Sequence, residues 1–141
     1  MKALSIRHPW IEAILSGHKT IEVRAWATRH RGPLLLHAPA AFGVADKQAL
    51  AHLLAEGVRV SAPTPERLGA VLGEAQLVDC RPLRESDWAG ALMEPVEGRL
   101  WAWELADVRP LGPIPARGER MLFEVEPQPS REVAAGDDGE K

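Results

Sequence analysis

Leu4 and Ile6 alternate with polar neighbours in "KALSI", which predicts a half-buried first strand at the start of the chain. "HPWIEAILSG" then changes period. Ile11, Ile14 and Leu15 form a helical stripe, Pro9 suits the first helical position, and Gly17 suits the left-handed residue past the end. In "KTIEVRAW" the period returns to two, with Ile21, Val23 and Ala25 on one side and Glu22, Arg24 and Trp26 on the other. "PLLLHA" reads as a wholly apolar third strand running to His37. A helix is predicted over "DKQALAHLLAEG", with Asp46 near its start, Leu50, Leu53 and Leu54 inside, and Gly57 as its stop.

After the Pro-rich "SAPTPERLG" loop, "AVLGEAQLVDC" predicts a long strand with Gly73 as a bulge or a close approach. "RPLRESDWAGALMEPVEGR" reads as irregular, with a helical turn around Trp88. "LWAWEL" is a strand placing Trp101 and Trp103 on one face, "PLGPIPARGER" a Pro/Gly connection, and "MLFEVE" a closing strand. Residues 1–126 thus form one domain. From 127 to 141 the polar, acidic "PQPSREVAAGDDGEK" predicts a disordered tail. Six strands, two clear helices and frequent turns give an α+β fold with a mostly antiparallel sheet. In so short a chain such a sheet often curls into a barrel, which limits exposed edges.

Charge modifies this picture locally. The formal net charge is −3, which argues against a strongly basic nucleic-acid binder. Residues 1–37 nevertheless carry Lys2, Arg7, Lys19, Arg24, Arg29 and Arg31 against Glu12 and Glu22, a local excess of +4, and four of the five histidines. The pattern is that of a basic face on an acidic protein. Cys80 stands alone, which excludes an internal disulfide and fits a reducing cytoplasm. Neither a signal peptide nor a membrane-spanning stretch is visible. The histidines at 8, 18, 30 and 37 lack metal-ligand spacing, so neither a metal nor a cofactor is expected, and no P-loop, GxGxxG, HExxH or GxSxG motif is present.

The chemistry concentrates in "SGHKTIEVRAW". Buried Lys, Glu and Arg side chains are costly unless paired, so Lys19, Glu22 and Arg24 form either a solvated rim or a mutual network. Such a network could hold Arg24 rigid for a phosphate or a base edge. Trp10, Trp26 and one of Trp101 or Trp103 could supply a stacking wall, or they could be core.

Gly17, Lys19, Glu22 and Arg24 stand in the spacing GxKxxExR, and the chain around them resembles the ASCH domains of the PUA-like superfamily. "SIRHPWIEAILSG" resembles that family's opening, and "RGPLLLHA", "GEAQLVDC", "LWAWEL" and "PIPARG" resemble its later strands in order. The resemblance implies a small, mostly antiparallel β-barrel flanked by helices, whose GxKxxExR segment lines a cleft for RNA or a nucleotide-like ligand. One bacterial branch consists of amidohydrolases that deacetylate N4-acetylcytidine with a lysine, a threonine and a glutamate. Lys19 stands at their lysine, whereas Glu22 occupies the threonine position and Thr20 lies two residues earlier. A variant mechanism would use Glu22 as general base and Lys19 on the proton or the oxyanion. Other relatives are ribonucleases, for which His37 or His30 would be candidate acid–base groups.

Three functions follow as expectations. The first is a module binding RNA or a nucleotide-like ligand through Lys19, Glu22, Arg24, Gly17, Trp10, Trp26, His37, Trp101 and Trp103, with Arg7, Arg29 and Arg31 on the nucleic-acid backbone. The second is an amidohydrolase with Lys19, Glu22 and Thr20 as its catalytic set. The third is a protein-interaction domain contacting a partner through the acidic tail or Trp88.

Overall fold

A computed structural model describes residues 1–126, so the expected tail lies outside the described residues. Strands β1 (Lys2–Ser5), β2 (Ile21–Arg24), β3 (Gly32–Ala38), β4 (Ala70–Pro82), β5 (Trp101–Pro115) and β6 (Leu122–Glu124) form one sheet in the order β2-β5-β4-β3-β1-β6. Helices α1 (Trp10–Leu15), α2 (Val44–Ala55) and α3 (Asp87–Ala91) lie between them in sequence. The sheet is antiparallel except where β1 runs parallel to β3.

The expected barrel is not closed, because β2 and β6 remain as two unpaired edges. The curl is nevertheless strong. β2 and β1 are four strands apart, about 19 Å in a flat sheet, more than an arginine side chain can bridge. Arg24 on β2 still donates a hydrogen bond from Nη2 to the carbonyl of Ser5 on β1. Side chains close that end of the sheet where a backbone ladder does not.

Period two divides the core. Leu4, Ile6, Leu34, Leu36, Leu72, Leu77, Trp103 and Leu105 pack with Ile11 and Ile14 of α1 on one face. Ala3, Leu35, Val71 and Phe123 form a smaller cluster on the other. Gly73 is indeed a close approach. A Cβ there would lie 2.4 Å from Leu15 Cδ2 and 2.9 Å from the Arg109 carbonyl, and the β4–β5 register shifts beside it.

Three elements differ from expectation. Pro9 is the N-cap of α1 rather than its first residue. α2 begins two residues before Asp46, and Leu54 is 51% exposed, since the helix meets the body mainly through Leu53, which packs with Ala13 and Val58. β5 continues through "PLGPIP". β2 covers β5 only over Trp101–Glu104, so residues beyond have one free edge. Prolines 110, 113 and 115 fit there because a missing N–H breaks no ladder on an open side.

Candidate functional site

The signature segment starts from the end of α1. Gly17 adopts φ +87°, which releases the chain from the helix, and the amides of His18 and Lys19 both return to the carbonyl of Ala13. This tight turn sends the Lys19 side chain inward. Lys19 is 1% exposed, with Nζ donating to the carbonyl of Ala91 at 2.6 Å, lying 3.7 Å from Glu22 Oε1 and 5.0 Å from the centroid of the Trp10 ring. Burial lowers the Lys19 ammonium from its ordinary value, the Glu22 carboxylate opposes that shift, and Arg24 adds to it.

Glu22 connects the two cations. Its Oε2 accepts from Arg24 Nε at 2.9 Å. With Nη2 on the Ser5 carbonyl, the Arg24 guanidinium is fixed at two of its three nitrogens, leaving Nη1 outside both bonds. Its side chain keeps 24% exposure. Lys19, Glu22 and Arg24 are therefore one network, graded from a buried ammonium to an accessible guanidinium.

Arg24 opens on a cleft of 740 Å³ whose walls include Ser5, Arg7, Trp26, Glu119 and Arg120. An adjoining depression of 420 Å³ shares Ser5, Pro39, Glu119 and Arg120, and adds His37 and Arg117. Residues Ala27, Thr28, Arg29 and Arg31 form a third depression with Cys80 and Trp101, which shares no lining residue with the other two. The three hollows together carry Arg7, Arg24, Arg29 and Arg31 of the basic residues singled out in the sequence.

The tryptophans separate. Trp103 is 0% exposed and sits in the core, where Nε1 donates to the Trp26 carbonyl and its ring meets Trp26 edge-on at 4.8 Å. It supports the wall and has no surface to offer a ligand. Trp26 lines the Arg24 cleft. Trp101 lines the Arg29 hollow and a separate 630 Å³ pocket with Trp88. Trp10 covers the Lys19 ammonium. Thr20 is exposed, and its backbone is held by Gly90 and Leu105.

Arg7, Arg31 and His37 are already engaged, whereas Arg29 is exposed. Arg7 forms a bidentate pair with Asp46, whose carboxyl is held below the usual range chiefly by that guanidinium. Arg31 donates to the carbonyls of Thr28, His30 and Cys80. His37 is buried, with Nε2 at 2.7 Å from the Ala116 carbonyl and Nδ1 at 2.7 Å from Ser5 Oγ. A carbonyl only accepts, so Nε2 carries the proton and Nδ1 receives the Ser5 hydroxyl. Burial lowers the His37 pKa against the opposing Ala116 bond. No cluster of metal-ligating side chains exists among the described residues.

Ser5 and Arg120 carried no sequence signal. Ser5 reaches His37 because β1 and β3 pair in parallel with these two residues in register, and Arg120 enters the wall from an irregular segment.

The fold and site define a mixed α+β domain, an open, strongly curled and mostly antiparallel sheet with an ionic network at its mouth. The model of the ASCH domain family matches residues 4–115, and the chain belongs to that family. It is 37% identical over 81 residues to the human and mouse proteins called activating signal cointegrator 1, a match covering 55% of this chain and 14% of theirs. The matched part is a small fraction of those longer proteins. Among solved structures, ASCH from Zymomonas mobilis superposes with a TM-score of 0.60 at 15% identity, covering 95% of this chain and 93% of that one. A single-substitution mutant of the same protein gives 0.61 over 95% and 96%. At that identity the likeness concerns the fold.

Proposed function

We propose that this domain binds single-stranded RNA or a nucleotide-like ligand in the cleft at the mouth of the curled sheet. One observation carries the reading: Arg24 is fixed by Glu22 and by the Ser5 carbonyl, yet stays partly exposed in a cleft walled by Trp26 and Arg120. A guanidinium with its rotamers already restricted loses little further freedom on meeting a phosphate or a base edge. Trp26 offers a partly exposed ring for stacking. Arg117 and Arg120 in the adjoining depression, with Arg29 just past Trp26 in the chain, extend the positive field along the backbone of a short strand. Lys19 is a positioning residue in this reading. It neutralises Glu22 from below and lies outside the lining of the Arg24 cleft.

The test is fluorescence anisotropy with a labelled short single-stranded RNA. Arg109 pairs with Glu74 away from the cleft and serves as the control. Saturable, salt-weakened binding is expected, falling about tenfold or more in Arg24→Ala, roughly 1.4 kcal/mol, and unchanged in Arg109→Ala. Binding that is absent, or equal in wild type and Arg24→Ala, overturns the reading.

A specific observation also supports an amidohydrolase reading: a buried lysine with a lowered pKa stands 3.7 Å from a carboxylate. N4-acetylcytidine incubated with the protein and resolved by chromatography tests it. Deacetylation lost in Lys19→Met would turn the network into a reaction centre, and an unchanged substrate would leave it a binding device.

A further inference from the structure

We propose that Ser5 and His37 form a hydrolytic dyad, with Ser5 Oγ as nucleophile toward a carboxylic ester of an anionic, nucleotide-like alcohol. Ser5 ends β1 and borders both the Arg24 cleft and the adjoining depression, so its hydroxyl stands at their junction. His37 Nδ1 lies 2.7 Å from Ser5 Oγ and is the acceptor in that bond, the arrangement a general base requires. The other ring nitrogen donates to the Ala116 carbonyl at 2.7 Å. That carbonyl fixes the ring and its tautomer, and it would steady the imidazolium formed when Ser5 gives up its proton. Burial keeps His37 neutral near pH 7 and free to accept.

Packing holds the pair in place. A Cβ on Gly118 would lie 2.5 Å from His37 Cε1 and 2.8 Å from Ser5 Oγ, so the backbone of this segment rests directly on the dyad from one side. Ser5 faces the cleft on another. Arg24 and Arg120 in the same walls, opposed by Glu119, favour an anionic substrate and the negative charge developing on the carbonyl oxygen.

The reaction balances within the protein and water. Ser5 Oγ bonds to the ester carbonyl carbon while its proton passes to His37 Nδ1. The C–O bond to the alcohol breaks, and that oxygen takes the proton from His37. Water then attacks the acyl-serine, giving one proton to His37, which returns it to Ser5 as the carboxylic acid leaves. The nature of the alcohol rests on the cleft's binding a nucleotide-like ligand, whereas the reactivity of Ser5 does not.

The experiment separates the two. The full chain is treated with a fluorophosphonate, whose P–F bond is replaced by a bond to a nucleophilic serine with release of fluoride, and the adduct is located by tandem mass spectrometry. The expected result is one adduct on Ser5, formed by the folded protein and not in urea, with a rate about a hundredfold lower in His37→Gln. Circular dichroism establishes that this variant is folded. If it is not, the labelling rate of wild type against pH decides instead, and it must fall as His37 is protonated. No adduct on Ser5, an adduct formed equally in urea, or a rate indifferent to His37 and to pH overturns the proposal. Because the probe carries no nucleotide, labelling of Ser5 without RNA binding would refute the proposed ligand and leave the dyad standing.

Discussion

Lys19 shows how much a single buried charge depends on its partners. Its ammonium has exchanged water for the Ala91 carbonyl, the Glu22 carboxylate and the Trp10 ring. Lys19→Ala leaves a cavity, an unsatisfied carbonyl and a less balanced Glu22, and is expected to cost about 3–5 kcal/mol in urea unfolding. Lys19→Met refills most of the volume and is expected to cost only about 1–2 kcal/mol, the penalty of the orphaned carbonyl. Equal losses in the two variants would mean that charge, rather than volume, dominates. His37 makes a prediction of opposite kind. Its folded pKa lies below the unfolded value of about 6.5, so the unfolded chain binds the extra proton first. Its contribution to stability is full above that value and is lost as pH falls through the folded pKa. Urea midpoints measured from pH 8 downward should therefore decline below about pH 6.5, and His37→Gln should remove that part of the decline.

At the scale of elements, the junction between α1 and β2 gives the signature its shape. Gly17 at φ +87° has open space where a Cβ would stand, so Gly17→Ala is strained by its backbone alone, about 1–2 kcal/mol. Gly73→Ala differs, because its Cβ would strike Leu15 and the Arg109 carbonyl and push α1 off the sheet. A loss of about 2–3 kcal/mol is expected there, together with weaker RNA binding as the turn that positions Lys19 shifts. Thermal unfolding and anisotropy on the same samples would check both. The sequence made these junctions readable because a glycine past a helical stripe and a glycine in a strand each have few physical uses. Other features were hidden. β5 runs through "PLGPIP" because its outer half has a free edge, and strand order is invisible in a proline pattern. Closure of the barrel depends on whether two edges meet, which local periodicity does not encode. The network of Lys19, Glu22 and Arg24 was legible as a cluster of costly charges at period-two spacing. Pairing of Ser5 with His37, like the Ala91 carbonyl under Lys19, depends on parts of the chain brought together only by the fold.

The whole molecule places a local positive cleft on a chain of net charge −3, and this sets how RNA binding should respond to salt. Six arginines border the three hollows: Arg7, Arg24, Arg29, Arg31, Arg117 and Arg120. Were all six to contact phosphates, the slope of log K against log salt would be about −4, at roughly −0.7 per contact for a single strand. Arg7 is already neutralised by Asp46, and Arg31 spends its donors on carbonyls and stands 3.7 Å from Asp79. Arg24, Arg29, Arg117 and Arg120 remain, which predicts a slope of about −2 to −3. Arg120→Ala should lower its magnitude by about 0.7. Arg7→Ala should leave the slope nearly unchanged while destabilising α2, because the buried Asp46 then loses its partner. Outside residues 1–37 the chain carries an acidic excess of −7, so lengthening the RNA beyond the cleft should add little affinity. Anisotropy titrations across salt concentration and oligonucleotide length would measure both effects. A slope near −4 with affinity rising steadily with length would instead require a contact surface that extends well past Arg24.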